Sequence, residues 1–191
     1  MKVFAVNGSP RKNGNTAIMI GYVFKELEKE GIECEMIQMS GKSLQGCIAC
    51  YKCFENKNRK CSVNRDDVNE LIAKMAGADG IILGSPTYFA DLTANMKALI
   101  ERAGLVSKAN NEMFRRKVGA AVVTARRGGA SHVFNSINQF FLSGQMVVAG
   151  SSYWNMGFGR DIGEVEKDDE GKNTMTTLGE NMAWLLKKLN G

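Results

Sequence analysis

Four of the five cysteines fall within one short stretch: Cys47-Ile-Ala-Cys50-Tyr-Lys-Cys53, then seven residues, then Cys61. Three thiols at C-x2-C-x2-C spacing with a fourth nearby suit tetrathiolate binding of a [4Fe–4S] cluster. Zinc also accepts four thiolates, but its knuckles usually show two well-separated C-x-x-C pairs, so zinc ranks lower. Redox-active thiols are a third reading. Unoccupied, reduced cysteines are a weaker fourth, because free cysteines seldom cluster so tightly in an exposed loop. Lys52, Lys57, Arg59 and Lys60 would offset thiolate or cluster charge. Cys34 stands apart and is expected to pack as a small hydrophobe.

Three other stretches could hold an anionic, partly aromatic ligand. Residues 9–16, Ser-Pro-Arg-Lys-Asn-Gly-Asn-Thr, lie between an apolar run and a helical pattern. A helix N-terminus there would aim free N–H groups and a positive dipole end at whatever the loop holds. Ser9, Asn15 and Thr16 add short donors, and Arg11 and Lys12 add charge. The loop has neither G-x-x-x-x-G-K-[ST] nor G-x-G-x-x-G, which argues against a nucleoside triphosphate or a dinucleotide. A single phosphate monoester, such as that of FMN, suits it better. Residues 85–89, Ser-Pro-Thr-Tyr-Phe, offer Tyr88 and Phe89 as flat contacts for a ring. The backbone around Pro86, Thr87 and Tyr88 could meet the ring's polar edge. In residues 124–129, glycines allow close backbone approach and Arg126 or Arg127 could meet an anion.

Composition narrows the classes. The chain has 191 residues, 44% hydrophobic and 24% charged, which fits one folded domain over 1–191. The net charge of +5 comes from dispersed basic residues without a basic face, so nucleic acid is not an expected partner. The mild excess suits anionic small molecules. No apolar run approaches the roughly 20 residues needed to span a bilayer. The first residues run straight into a strand with no signal-peptide pattern, so no membrane contact and a cytoplasmic setting are expected. There the cysteines would not form disulfides. One histidine, His132, and no G-x-S-x-G make a Ser-His-Asp hydrolase a poor fit.

Strand-like apolar runs at about 3–6, 33–39, 80–84, 118–123 and 146–149 alternate with helical patterns. The helices are expected at 17–29, from Asp66-Asp67 onward, and at 92–103, 130–142 and 175–189. Residues 40–65 read as a long irregular segment, with its cysteine-rich part at 43–65 inserted between strand two and helix two. Residues 107–116 read as a connection. Residues 155–173 read as a loop whose 156–170 part serves as a lid, a subunit contact or a mobile piece. The alternation predicts an α/β parallel sheet covered on both faces, in the order 2-1-3-4-5. Ligands of such sheets sit beyond the carboxyl ends of the strands, so the loops after strands one, three and four should converge.

The motifs GSPRKNGNT and GSPTYFADLTANMKALIER on this five-strand pattern resemble the NADPH-dependent FMN reductase-like branch of the flavodoxin-like superfamily. The segment GCIACYKC…C followed by Asp66-Asp67 looks like the iron–sulfur flavoproteins of that branch. The resemblance implies a flavodoxin-like three-layer doubly wound sandwich, a non-covalent FMN, and a homodimer or homotetramer with flavin sites near subunit interfaces. By motif position it implies Ser9, Arg11, Asn15 and Thr16 at the phosphate and Pro86, Thr87, Tyr88 and Phe89 along the isoalloxazine. It extends to Ala125, Arg126, Gly128 and Gly129 in the third loop, and to Cys47, Cys50, Cys53 and Cys61 as ligands of a [4Fe–4S] cluster.

The expected activity is that of an FMN-dependent oxidoreductase in which no side chain need act as acid or base. NAD(P)H, ferredoxin or another donor would supply electrons to a small-molecule acceptor, a redox protein or the cluster. The rival readings are a cluster-free NAD(P)H:quinone, nitro or azo reductase, a flavodoxin-type carrier with no dedicated substrate, and a zinc-bearing binding module.

Overall fold

Alternation along three strands decides how the chain folds. In β1 (Lys2–Asn7), Val3 and Ala5 belong to one buried cluster, while Phe4 and Val6 belong to another. β3 (Gly80–Pro86) and β4 (Val118–Ala125) divide in the same way, Ile82 against Ile81 and Leu83, Val122 against Ala121 and Val123. Successive side chains of a strand point to opposite faces, so strands apolar throughout need a helical layer on each side.

The computed structural model describes residues 1–190 and supplies those layers. α1 (Asn15–Lys29) and α6 (Asp169–Asn190) cover one face through Met19, Ile20, Val23, Leu178 and Met182. α3 (Val68–Gly77), α4 (Ala94–Ala109) and α5 (Ala130–Ser143) cover the other through Leu71, Ile72, Met96, Leu99, Ile137 and Phe141. The strands run parallel in the order β2-β1-β3-β4-β5, with β2 (Glu33–Gln38) at one edge and β5 (Val147–Val148) at the other. This is the flavodoxin-like sandwich expected from the sequence.

The far edge departs from expectation. β5 pairs only with the start of β4, Val118 and Gly119. A further strand, β6 (Met156–Phe158), pairs parallel with its end, Val123 to Ala125. Two short strands therefore share the fifth position, with the chain looping out between them. The stretch read as a loop also holds a 3-10 turn at Glu164–Lys167, and α6 begins at Asp169, six residues earlier than the apolar stripe indicated. Asp169 and Glu170 in its first turn complement the helix dipole, a start signal that polar composition concealed. α4 likewise continues to Ala109, because Val106 and Ala109 are still buried. The cysteine segment is not wholly irregular either: a five-residue helix, α2 (Lys52–Asn56), lies within it.

The carboxyl ends of β1, β3 and β4 open on the same side of the sheet. Among the described residues, no helix is long and apolar enough to cross a membrane.

Candidate functional site

The loop after β1 is bent by its own side chains. Asn7 Oδ1 accepts from the Ser9 amide at 3.0 Å, and Ser9 Oγ accepts from the Arg11 amide at 3.2 Å. Both are short-range bonds that mimic a turn. Gly8 lies so close to β3 that its amide donates to the Gly84 carbonyl at 2.7 Å. A Cβ on Gly8 would stand 3.1 Å from that oxygen and from Thr93 Oγ1. α1 then starts after Gly14, which offers no capping side chain to the first-turn amides.

The loop after β3 closes as a tight turn. The Tyr88 amide donates to the Asp91 carbonyl at 2.8 Å, and the Asp91 amide donates back at 3.1 Å. Phe89 (φ 50°) and Ala90 (φ 67°) both occupy the left-handed region, at roughly 1–2 kcal/mol per residue for side chains bearing a Cβ. Gly129 (φ 88°), in the loop after β4, lies against this turn. A Cβ there would meet Ala90 Cα and Thr87 Cγ2, each at 3.1 Å. Gly129→Ala is therefore expected to destabilise the protein by about 1–3 kcal/mol and to weaken ligand binding between the two loops. Thermal melts with and without ligand check both effects.

These loops surround a cavity of about 250 Å³. Ser9, Arg11, Asn15 and Thr16 line it from the first loop, Pro86, Thr87 and Tyr88 from the second, and Thr124, Ala125 and Arg126 from the third. Thr16 Oγ1 and Thr124 Oγ1, 2.8 Å apart, join α1 to β4. Thr87 Oγ1 is buried with no partner. Gly159 and Arg160 complete the wall, so three arginines, 11, 126 and 160, border one space.

Other residues fall elsewhere. Phe89 is fully exposed and lines no part of this cavity. Gly128 and Gly129 line a neighbouring cavity of about 310 Å³, together with Arg127 and the aromatic Tyr153, Trp154 and Phe158. The Asn15 side chain donates to the Gly159 and Asp161 carbonyls at 3.1 and 3.0 Å and accepts from the Gly163 amide at 2.9 Å. Arg11 Nη1 donates to the Arg160 carbonyl at 2.8 Å. These bonds fasten the segment after β6 across the loop that follows β1. The sequence places Gly159 and Arg160 only within a 156–170 lid, subunit contact or mobile piece; nothing but a basic residue beside an acidic stretch marks them as cavity wall. His132 is exposed, with Nε2 3.6 Å from Asp91 Oδ2, and it lines neither cavity.

All four clustered cysteines line a third, small cavity of about 20 Å³ against α4, which supplies Arg102, Leu105 and Val106. Side chains of α4 and of Asn110, the residue that caps it, hold the segment down. Asn95 Oδ1 accepts from the Leu44 amide at 3.0 Å, Glu101 Oε2 from the Cys47 amide at 3.1 Å, and Asn110 Oδ1 from the Arg59 amide at 2.9 Å. Ala49, Tyr51, Lys57 and Arg59 all have φ between 45° and 62°. A run of such strained non-glycine residues persists only where its surroundings over-determine it, which is common at functional sites. Burial pushes the Cys53 thiol up, partly countered by the Cys53 and Phe54 amides. Among the described residues, no group of three or more His, Cys, Asp or Glu side chains is drawn closely enough together to hold a single metal ion. Cys34 lies outside the group, its thiol pushed up to about 12 by burial and by Glu28 and Glu33, as befits a packing residue.

Residues 1–161 match the family described as NADPH-dependent FMN reductase. The chain belongs to that family. It is 38% identical over 194 residues to an iron-sulfur flavoprotein of Methanocaldococcus jannaschii, covering 98% of both chains. It is 30% identical to an iron-sulfur flavoprotein of Methanosarcina thermophila, over 98% of this chain and 96% of that one. Its fold is similar to an archaeal flavodoxin (TM-score 0.64, 17% identity, 98% and 99% of the two chains). It is also similar to a flavone reductase, of which this chain spans 64% while itself being 99% covered (TM-score 0.74, 18% identity). This member of the FMN reductase family is thus an FMN-dependent oxidoreductase of the iron–sulfur flavoprotein branch.

Proposed function

We propose that the 250 Å³ cavity holds FMN, that the four cysteines hold a [4Fe–4S] cluster, and that NAD(P)H or a reduced redox protein such as ferredoxin supplies the electrons. The observation that carries this reading is the meeting of the loops after β1, β3 and β4 around one cavity. A separate cavity, walled by four thiols, lies against α4.

The residues present fit FMN. Ser9, Arg11, Thr16 and the open start of α1 would hold the phosphate. Asn15 would act there by fixing the segment that carries Arg160. Pro86, Thr87, Tyr88, Ala125 and Arg126 would border the ring, whose polar edge offers a partner to the unpaired Thr87 hydroxyl. Bound FMN supplies the redox chemistry. The chain's residues orient it, shield one face and meet its charge; none is assigned as acid or base. Phe89, Gly128 and Gly129 would act at the margin, towards an acceptor or a second subunit.

The cysteine cavity fits a cluster better than a lone ion. A cubane distributes its four thiolates over four irons, whereas zinc draws them onto one atom. A reducing cytoplasm would keep these cysteines as thiols. The exposed aromatics Phe89, Tyr153, Trp154 and Phe158 near the flavin cavity support assembly into a homodimer or homotetramer.

Anaerobic purification followed by absorption, iron, sulfide and zinc analysis tests the reading. Flavin bands at one FMN per chain with about four irons and four sulfides are the expected result. Protein that takes up no FMN overturns the flavin assignment. FMN without iron overturns the cluster and leaves an NAD(P)H-dependent reductase of small acceptors. Light scattering on the same sample reads the oligomeric state.

A further inference from the structure

We propose that Arg102 is the positioning residue of the four-thiol pocket, clamping both limbs of the cysteine segment and, through its bond to Cys61 Sγ, setting the reduction potential of the group bound there. This rests on the reading that the four cysteines hold a cluster.

Arg102 projects from the middle of α4 and is 1% exposed. Its Nε donates to Cys61 Sγ at 3.3 Å. Its Nη1 donates to the Gln45 carbonyl at 3.1 Å and to Asp66 Oδ2 at 2.5 Å, and its Nη2 donates to the Val63 carbonyl. Gln45 precedes the first cysteine by two residues, and Val63 follows the last by two. One guanidinium thus grips the segment where it enters and where it leaves the pocket. Asp66 closes the ring by accepting from the Gln45 amide at 2.9 Å, so both main-chain groups of Gln45 are fixed. A planar fork with five donors is suited to this task, and an ammonium is not.

The bond to sulfur has a second consequence. Cys47 Sγ accepts from the neutral Ala49 amide at 3.4 Å, but Cys61 Sγ accepts from a cation. Reduction by one electron makes no bond and breaks none; it adds negative charge that spreads onto the ligating sulfurs. A charged donor aimed at one of them favours the reduced state and raises the potential. Asp66 acts against this by neutralising the donor.

The test is a potentiometric titration of the cluster, followed by EPR, in anaerobically purified FMN-loaded protein with Arg102→Gln and Asp66→Asn. Arg102→Gln is expected to keep its FMN and either to lose most of its iron or to show a potential lowered by at least tenfold in the reduction equilibrium, 59 mV for one electron. Asp66→Asn is expected to shift it upward. A merely structural role would not produce opposite shifts. An unchanged potential with full iron in Arg102→Gln overturns the proposal. So does an unchanged or lowered potential in Asp66→Asn, which decides the matter if Arg102→Gln loses FMN and fold together. Wild-type protein without iron and sulfide overturns the cluster reading and this proposal with it. Wild-type iron with unshifted variants overturns this proposal alone.

Discussion

Asp66→Ala is expected to destabilise this protein by about 3–5 kcal/mol, the cost of leaving one partner of a buried ion pair alone. The Arg102 and Asp66 side chains are 0% and 7% exposed, and their atoms meet at 2.5 Å. Alanine would leave the guanidinium buried with two carbonyls and a sulfur but no countercharge. The Gln45 and Val68 amides would lose their acceptor as well. Replacing both partners, Arg102→Met with Asp66→Leu, removes the buried charges together and is expected to recover most of the loss. Urea melts of wild type, Asp66→Leu, Arg102→Met and the double variant give the coupling as a double-mutant cycle, with Asp66→Ala measured beside them. A single-variant loss below about 1 kcal/mol would mean that water reaches the pair.

The same pair ties stability to pH. Burial alone would push the Asp66 carboxyl up. The hydrogen bonds from Arg102 and from the Gln45 and Val68 amides outweigh it and hold the group below its ordinary 3.8. A carboxyl depressed in the folded state contributes stability that is fully present above the unfolded value and is lost as pH falls through the folded one. The Asp66 contribution should therefore be constant from neutrality down to about pH 4–5 and fade below that. The double variant should show a shallower acid limb.

What was legible in the sequence was whatever periodicity or local spacing could carry. Val3 to Val6, Ile81 to Leu83 and Ala120 to Val123 are apolar without a break, and only strands covered on both faces can use such runs. C-x2-C-x2-C marked a thiol-rich site from spacing alone, with cluster, zinc and redox thiols all open to it. The gaps have physical causes. β6 is three residues long, Met-Gly-Phe, too short to show alternation, and it exists because the end of β4 leaves an edge to pair. Arg160 reaches the 250 Å³ cavity through bonds made by Asn15 and Arg11 to its segment, almost 150 residues away. In the sequence Asp66 stands beside Asp67 at the expected start of a helix, with nothing to set it apart. Its partner sits 36 positions on, within a helix whose pattern marks Arg102 only as a polar residue. Phe89 differs in another way: its place in the loop motif points to a ring contact, and a tight left-handed turn sets its side chain at the surface, outside the lining of the cavity.

Ser9→Asp is expected to weaken FMN binding by roughly 30- to 700-fold while sparing the fold. Ser9 is 3% exposed, and its hydroxyl accepts from the Arg11 amide. Aspartate can accept the same bond, because Asx and Ser turns share this geometry, so the loop keeps its course. The added carboxylate would face the phosphate. Two like charges about 4 Å apart repel by about 4 kcal/mol at the effective dielectric of a protein surface. Arg11 and Arg160 offset part of that, leaving about 2–4 kcal/mol, at 1.4 kcal/mol per tenfold. Ser9→Ala separates charge from geometry: it deletes one hydrogen bond worth about 1 kcal/mol and should lose less than tenfold. Riboflavin separates the phosphate from the ring, since without a phosphate it should bind Ser9→Asp and wild type alike. Fluorescence titrations of both flavins into apoprotein measure all three effects. Equal losses for FMN and riboflavin would mean that Ser9 faces the ring, and the phosphate would then have to lie elsewhere in the cavity, with Arg126 as its cation.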